Sequence, residues 1–296
     1  MTSPITETPQ LALNDGSTIP QLGFGVYRIE PDAAADAVSE ALAAGYRHVD
    51  TARAYRNESG VGEAVRGLGE WAYVTTKYFE PGEDHGHDDA LAAFEESAIN
   101  LGLDRVDLYL VHWPTAAGEG YVASWTALTE LQASEQSESG SGRVHSIGVS
   151  NFVFDHLARI VDATGVTPAV NQVELHPYFQ QRELREVHAE RGIATEAWGP
   201  LGQGGAVLED PTLREIGAAH GKTVAQVVVR WHLQLGTVVI PKSVTPARIR
   251  ENIEVFDFAL SADEMTAIEG LDRGERVGPD PATVVMPVGG YRRDRS

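Results

Sequence analysis

Eight short apolar runs, separated by segments with helical spacing, limit the folds open to this chain more than any other feature. Each run has the length and residue types of a buried parallel strand. In order they are 22–26, 46–50, 72–77, 106–112, 144–150, 169–174, 193–198 and 237–241. Between them apolar residues recur at helical spacing, as Ala34, Val38 and Leu42 do before a stop at Gly45. This alternation predicts an α/β fold, a (β/α)8 TIM barrel.

Three segments fall outside this alternation. The run 11–20, "LALNDGSTIP", predicts an N-terminal β-hairpin around Asp15-Gly16. The acidic, Ser/Gly-rich stretch 133–142 predicts a flexible surface loop before the fifth strand. The segment 272–296, rich in Gly, Pro and Arg, predicts an irregular C-terminal tail. We expect residues 1–296 to form a single barrel domain.

A doubly wound dinucleotide-binding sheet is the competing architecture. Its fingerprint, G-x-G-x-x-G, is absent from the first strand, where Gly23-Phe24-Gly25 is followed by Val26-Tyr27-Arg28. The barrel is therefore the favoured interpretation.

The charge balance and the cysteine count exclude several classes of function. The 296 residues include 43 acidic and 23 basic side chains, a formal net charge of −20. A surface of that sign repels nucleic acids and anionic membranes, so we expect neither as a partner. The chain has no cysteine, which removes disulfides, thiolate catalysis and Cys-ligated metals.

The start of the sequence bears on where the protein acts. "MTSPITETPQ" lacks the basic and apolar regions of a signal peptide, and no apolar run is long enough to span a bilayer. We therefore expect a cytoplasmic enzyme that acts on a small molecule, with a monomer as the default assembly.

Polar or aromatic residues stand at the ends of seven successive runs. They are Asp50, Lys77, His112, Ser150-Asn151, Gln172, Trp198 and Lys242. Each alone has an ordinary structural explanation, such as a helix cap, a buried histidine or a solvated lysine. Because barrel active sites lie at the C-terminal ends of the strands, their conjunction predicts a catalytic mouth.

Seven segments together resemble the aldo-keto reductase family. They are "GYRHVDTARAYRNE", "VTTKYF", "DLYLVHWP", "IGVSNF", "NQVELHPY", "EAWGPLGQG" and "IPKSVTPARIRENI". They span most of the chain in the family's order. The resemblance implies a catalytic tetrad of Asp50, Tyr55, Lys77 and His112. Tyr27 and the "AWGPLGQG" segment are similar to the bacterial diketogluconate-reductase branch.

The physical chemistry of that tetrad explains why a buried strand ends on a carboxylate. A phenol with a pKa of about 10 is a poor acid at neutral pH, and a nearby ammonium lowers that pKa. Lys77 is expected to act in this way on Tyr55, held in place by Asp50. Tyr55 then protonates the carbonyl oxygen as hydride reaches the carbon, while neutral His112 orients the carbonyl.

The resemblance also implies an NADPH (NADP⁺) site at the mouth. Ser150, Asn151 and Gln172 would hydrogen-bond the nicotinamide carboxamide, and Trp198 would stack on its ring. The further implied contacts are Gly25, Val26, Gly199, Leu201, Gly202, Gln203, Lys242, Ser243, Val244, Thr245, Arg248, Glu251 and Asn252.

Within this set, the segment 241–252 bears on the choice between NADPH and NADH. Lys242, Ser243, Thr245 and Arg248 would gather hydrogen-bond donors around a 2′-phosphate. The alternative for Arg248 and for Arg250 is a solvated helix face that pairs with Glu251 or Glu254.

The substrate pocket is expected to be an aromatic wall of Tyr27, Phe79 and Trp113 beside His112, closed by the tail. Phe79 departs from the family's commoner Lys-Leu-Trp pattern, so the wall's shape stays open. The expected reaction is reversible reduction of aldehydes and ketones, including sugar-derived ketones such as diketogluconate, or dicarbonyls.

Two other classes of function stay open at this point. One is a cofactor-binding regulatory module of the same fold. The other is a metal-dependent barrel hydrolase, which would need clustered histidine and carboxylate ligands at the strand ends. Separately, His85 and His87 in the acidic segment "DHGHDD" are candidate metal ligands, although the expected chemistry needs no metal.

Overall fold

The N-terminal hairpin forms where it is predicted. In a computed structural model that describes residues 8–79, 86–114, 120–138 and 143–283, strands β1 (Gln10–Ala12) and β2 (Thr18–Pro20) pair antiparallel. Gly16 takes a φ of 87° in the turn, a value that favours glycine. Leu13 and Ile19 are buried against inward-facing strand residues, so the hairpin covers the N-terminal end of the sheet.

The eight predicted strands all form and run parallel. They are β3 (Phe24–Gly25), β4 (His48–Asp50), β5 (Tyr73–Tyr78), β6 (Val106–Val111), β7 (Val144–Ser150), β8 (Val170–Glu174), β9 (Ala194–Trp198) and β10 (Val238–Val239). Each pairs with its sequence neighbour, and a parallel bridge from Leu22 to Val239 joins the two ends of the sheet. The ring therefore closes, which confirms the (β/α)8 barrel.

Helices pack around this ring. They are α1 (Ala34–Ala43), α2 (Glu58–Leu68), α3 (His87–Leu101), α4 (Gly120–Glu138), α5 (Phe154–Thr164), α6 (Arg182–Arg191), α7 (Pro211–His220), α8 (Val224–Gln234), α9 (Pro246–Ile253) and α10 (Ala262–Glu269). The predicted apolar face of α1 is confirmed, because Ala34, Val38 and Leu42 are all buried. The alternation of strand residues then turns one side of each strand to the barrel interior, where polar groups gather at the C-terminal end.

The loop predicted at 133–142 begins later than expected. Helix α4 continues to Glu138, so 133–138 are helical and the prediction was wrong there; 139–142 lie outside the described residues. The residues of 133–138 include Ala, Glu and Gln, which favour helix even where no apolar face is needed.

The tail is irregular as far as it is described. Residues 272–283 contain neither helix nor strand, and 284–296 lie outside the described residues. Within the described ranges, none of the helices has the length and apolar character needed to cross a bilayer.

One prediction concerns the packing of α2 on α3. A Cβ on Gly62 would overlap the carbonyl oxygen of Leu101, which also accepts a hydrogen bond from Arg66. We expect Gly62→Ala to lower the free energy of unfolding by about 2 kcal/mol, because backbone has to move.

Gly67 in the same helix is the matched control. No described atom lies within 4 Å of its Cβ position, so Gly67→Ala should raise stability by about 0.5–1 kcal/mol. Urea unfolding of both variants measures the difference. Equal effects would contradict the close helix packing.

Candidate active site

A buried ion pair lies at the centre of the barrel mouth. Lys77 lies near the C-terminal end of β5, faces the barrel interior and has no exposed surface. Its Nζ donates a hydrogen bond to Asp50 Oδ1 at 2.6 Å. The same Nζ donates to the carbonyl of Thr51 at 2.8 Å, and Gln172 Nε2 donates to the other Asp50 oxygen at 2.8 Å. Each charge is therefore hydrogen-bonded as well as paired, which is what burial of ions requires.

Tyr55 and His112 lie above this pair. A short 3-10 turn, Arg53–Tyr55, follows β4 and carries Tyr55, while His112 follows β6. Tyr55 Oη is 3.4 Å from His112 Nε2, and Lys77 Nζ is 5.1 Å from the centre of the Tyr55 ring. The structure thus brings all four residues of the predicted tetrad together.

The protonation behaviour differs in part from expectation. Burial, followed by the charge of Asp50, raises the pKa of Tyr55 well above its usual value, so the expected lowering by Lys77 is wrong for the protein alone. The Lys77 ammonium donates to Asp50 and Thr51 and does not offset these effects. Burial and the charge of Lys77 lower the pKa of His112 well below its usual value, which agrees with a neutral imidazole.

A second network connects Trp198 to the tetrad. Trp198 Nε1 donates to Asn151 Oδ1 at 2.8 Å, and Asn151 Nδ2 donates to the carbonyl of His112 at 3.0 Å and to Ser150 Oγ at 3.0 Å. Ser150 Oγ in turn donates to the carbonyl of Gln172 at 2.8 Å. The four residues predicted to meet the nicotinamide are therefore one hydrogen-bonded unit, and it fixes the plane of the indole.

The C-terminal tail supports the other side of Trp198. The carboxylate of Glu174, at the end of β8, accepts hydrogen bonds from the backbone N–H groups of Val277 and Gly278. A Cβ on Gly278 would lie 2.5 Å from Trp198 Cη2, so only glycine allows the tail to pass this close to the indole. Sequence reasoning missed this contact, whose one signal is a carboxylate at the end of a buried run.

Aromatic rings flank the tetrad, among them the residues predicted to form a substrate wall. The ring centres of Tyr27 and Tyr55 are 5.1 Å apart, and those of Phe79 and His112 are 6.1 Å apart. Trp113 is largely buried beside His112. These rings therefore lie directly beside Tyr55 and His112.

Exposed cations stand at the rim near α9. Lys242 and Arg248 are exposed, and neither takes part in an ion pair found within the described ranges. Arg28, which sequence reasoning missed, joins them: partial desolvation, followed by the charge of Arg28, lowers the pKa of the largely exposed Lys242. Arg28 follows Tyr27 with a φ of 59°, and its guanidinium lies 5.0 Å from the centre of the Tyr27 ring. Unpaired cations on an acidic protein suit an anionic ligand.

Arg250 pairs with neither of the two partners considered for it. It pairs with Glu40 of α1 rather than with Glu251 or Glu254, because α9 packs beside α1. Glu251 instead accepts a hydrogen bond from Thr223 at 2.8 Å.

The remaining predicted cofactor residues lie along the same rim. The loop after β9 has left-handed backbone, with φ values of 62°, 59° and 54° at Gly199, Gly202 and Gln203. Ser243 Oγ accepts from the N–H of Thr245 at 3.1 Å, and the Val26 N–H donates to the carbonyl of Asp50 at 3.0 Å. The other positions are Gly25 on β3, partly buried Leu201, exposed Val244 and buried Asn252.

The groups that line the mouth fit NADPH. An indole with a fixed plane, a turn of left-handed backbone and unpaired cations follow one another around the mouth. These are groups that suit an aromatic ring, a pyrophosphate and a further phosphate.

The candidate histidine ligands do not form a metal centre in the part of the chain that the structure describes. No group of three or more potential ligands is found there. His87 contacts Asp88 at 3.0 Å and Glu130 at 2.7 Å, and His85 lies outside the described residues.

Comparison with known proteins decides the family. The model of the aldo/keto reductase family matches residues 21–273. The chain belongs to the aldo-keto reductase family. Members of the family are NADP-dependent oxidoreductases, and this aldo-keto reductase is therefore an enzyme of that class.

Two curated relatives and one solved structure illustrate the similarity. Morphine 6-dehydrogenase of Pseudomonas putida is 46% identical over 295 residues, covering 94% of this chain and 96% of that protein. Methylglyoxal reductase DkgA of Escherichia coli (strain K12) is 46% identical over 275 residues, covering 92% and 96%. The structure of a Gox0644 mutant in complex with NADPH is 51% identical, with a TM-score of 0.88, covering 94% and 99%.

The buried pair gives a stability prediction for this aldo-keto reductase. Lys77→Met leaves the Asp50 carboxylate buried without a counter-ion, so we expect the free energy of unfolding to fall by about 3 kcal/mol or more. The Asp50→Asn/Lys77→Met double variant removes both charges and should recover most of that loss. Urea unfolding at pH 7 measures both. A double variant no more stable than Lys77→Met would contradict the pairing.

Proposed function

We propose that this protein reduces small aldehydes and ketones to alcohols with NADPH, with Tyr55 as the proton donor. The observation that carries the proposal is the convergence of Tyr55 Oη and His112 Nε2, 3.4 Å apart, above the buried Asp50–Lys77 pair. A carbonyl oxygen placed near both atoms would meet two polar groups in a site that the aromatic wall shields from water.

His112 suits the role of a neutral hydrogen-bond donor. Its Nδ1 is buried and has no hydrogen-bond partner among the described residues. A buried N–H without an acceptor costs more than a bare ring nitrogen, so the proton is assigned to Nε2. Nε2–H then points toward Tyr55 Oη and toward the proposed carbonyl position.

The raised pKa of Tyr55 is compatible with proton donation. Bound NADPH supplies a hydride to the carbonyl carbon and becomes NADP⁺. As the new C–H bond forms, the carbonyl oxygen gains negative charge and becomes a stronger base than a phenolate. The Tyr55 proton moves to that oxygen at this point. Lys77 Nζ, 5.1 Å from the centre of the Tyr55 ring, attracts the phenolate that remains. This attraction is smaller than the opposing effects of burial and of Asp50, so it limits the cost of the phenolate without lowering the pKa of Tyr55 below its usual value.

The rim cations support NADPH over NADH. Lys242 and Arg248 are exposed, lie near the start of α9 and have no acidic partner in the described ranges. Arg28 adds a further positive charge beside Lys242. We assign Lys242 and Arg248 to the 2′-phosphate, since charge-assisted bonds to phosphate are the strong ones.

We propose small dicarbonyls of the methylglyoxal type as the first substrate class. A methylglyoxal reductase and a morphine dehydrogenase are equally similar to this chain, so similarity alone does not fix the substrate. We infer a preference for small carbonyls from the aromatic side chains beside the tetrad, since the ring of Tyr27 lies 5.1 Å from that of Tyr55 and the ring of Phe79 lies 6.1 Å from that of His112. Sugar-derived ketones such as diketogluconate form the second class for the same assay.

The proton donor is tested by Tyr55→Phe. We expect turnover of methylglyoxal, followed by NADPH absorbance, to fall by about 10²-fold or more, because general acid catalysis contributes on that scale. The dissociation constant for NADPH should stay within about threefold, since the ring remains. Tyr27→Phe is the matched control; it removes a hydroxyl from the neighbouring ring and should keep most of the turnover. A Tyr55→Phe enzyme as active as the control would refute the assignment.

The phosphate assignment is tested by Arg248→Ala. Loss of one charge-assisted contact should weaken NADPH binding by about tenfold or more and leave NADH nearly unchanged. Arg250→Ala, on the same helix but paired with Glu40, is the control and should affect neither cofactor. Fluorescence titration with both cofactors measures this, and parallel weakening of NADPH and NADH would refute the assignment.

A further inference from the structure

A second carboxyl group lies inside the barrel below the tetrad. Glu196 is in the middle of β9 and has no exposed surface. Neither of its oxygens has a hydrogen-bond partner among the described residues. Buried carboxyl groups are almost always paired or hydrogen-bonded, so this one calls for an explanation.

Its surroundings come from β8, which pairs with β9, and from β4 and β5, which are not adjacent to β9 in the ring. Gln172 of β8 is paired with it in register, and His48 Nε2 of β4 is 3.9 Å from its Oε1. Asp50 and Lys77 act on it electrostatically from β4 and β5. The negative charge of Glu196 in turn raises the pKa of two phenols, those of Tyr55 at the mouth and of Tyr73 on β5.

No cation among these described groups is free to pair with Glu196. Lys77 donates to Asp50 at 2.6 Å and to the carbonyl of Thr51. Burial lowers the pKa of His48 to about 3, so that imidazole is neutral, and its Nε2 lies 3.0 Å from Thr75 Oγ1. The Gln172 amide lies close enough to Glu196 to lower the pKa of that carboxyl group, but the hydrogen bond that it makes, at 2.8 Å, is to Asp50 Oδ2. Burial raises the pKa of Asp50 as well, but Lys77 and Gln172 donate hydrogen bonds to this carboxylate and lower that pKa. We therefore assign the negative charge to Asp50 and the proton to Glu196.

The protonation of Glu196 follows from this arrangement. Burial, followed by the negative charge of Asp50, raises the pKa of Glu196 to about 8. The group is therefore a neutral acid at pH 7 and becomes an anion in mild alkali, losing its proton to solvent.

We propose that Glu196 is a positioning residue for the proton of Tyr55: it is neutral during carbonyl reduction at neutral pH, and in alkali its negative charge holds the proton on Tyr55. The proposal rests on the role of Tyr55 given above. It requires no new bond, because Glu196 acts on Tyr55 only through its charge, which is among the causes that raise the pKa of that phenol.

The consequence differs for the two directions of the reaction. Reduction needs the Tyr55 hydroxyl, which an ionised Glu196 preserves. Oxidation of an alcohol needs the phenolate as a base, which an ionised Glu196 opposes. The carboxyl group therefore extends reduction into alkaline pH and moves the onset of oxidation to higher pH.

The test compares alcohol oxidation by the wild type and by Glu196→Gln with NADP⁺ from pH 6 to 11. Glutamine has nearly the same shape and stays neutral. We expect the rising limb of the oxidation rate to move to lower pH by a fraction of a unit, so that at a given pH on that limb the variant oxidises about two- to threefold faster. The effect is modest because the charge of Glu196 is the smallest of the causes that raise the pKa of Tyr55. Glu196→Met, equally uncharged, should show the same shift. Glu190→Gln removes an exposed carboxylate and should follow the wild type.

An infrared titration checks the proton without relying on catalysis. A protonated-carboxyl C=O band should be present in the wild type at pH 6.5, disappear with a midpoint near 8, and be missing from Glu196→Gln. Tyr55→Phe should keep the band, so failure of the proposed proton donor and failure of this inference are distinguishable. A wild type without the band, or oxidation profiles whose rising limbs coincide in wild type and uncharged variants, would overturn the proposal.

Discussion

The buried contact between Asp50 and Lys77 is the constraint around which the mouth of this barrel is built. A single ammonium inside the protein has to satisfy a carboxylate and the Thr51 carbonyl, and it must still lie near a phenol. Gln172 donates a hydrogen bond to the other oxygen of the Asp50 carboxylate. Because strands β4, β5 and β8 supply these groups, the ring has to close correctly before the pair can form, so fold and site depend on each other.

The electrostatics of the site favour the neutral forms of Tyr55, Glu196 and His112. Burial raises the pKa of Tyr55 and of Glu196 and lowers that of His112, so all three are neutral at pH 7. Asp50 and Lys77 are then the charged members of the interior cluster, and they neutralise each other. A neutral mouth of this kind responds strongly to the charge that appears on a carbonyl oxygen, because little solvent is present to screen it.

Much of this could be predicted from the sequence, and the exceptions share a cause. Eight apolar runs predict the strands, and the residues at their ends predict Asp50, Lys77 and His112, since parallel strands end at a common edge. The pairing of Arg250 with Glu40 joins residues 210 positions apart, which no local pattern indicates. The pKa of Tyr55 depends on burial and on summed charges, which only the folded arrangement fixes. Glu196 is a lone carboxylate in the apolar run 193–198, and the sequence does not indicate whether its side chain faces the barrel interior or the surrounding helices.

The meeting of Gly278 with the indole of Trp198 has a consequence for how substrate range can diverge. Glu174 fixes the backbone at this point, and the absent side chain leaves just enough space for the ring. A larger residue here would force either the tail or the indole on which the nicotinamide is proposed to rest to move. We therefore expect that the pocket of this protein can be reshaped at positions on either side of Gly278 with less disturbance of the stacking face than at Gly278 itself.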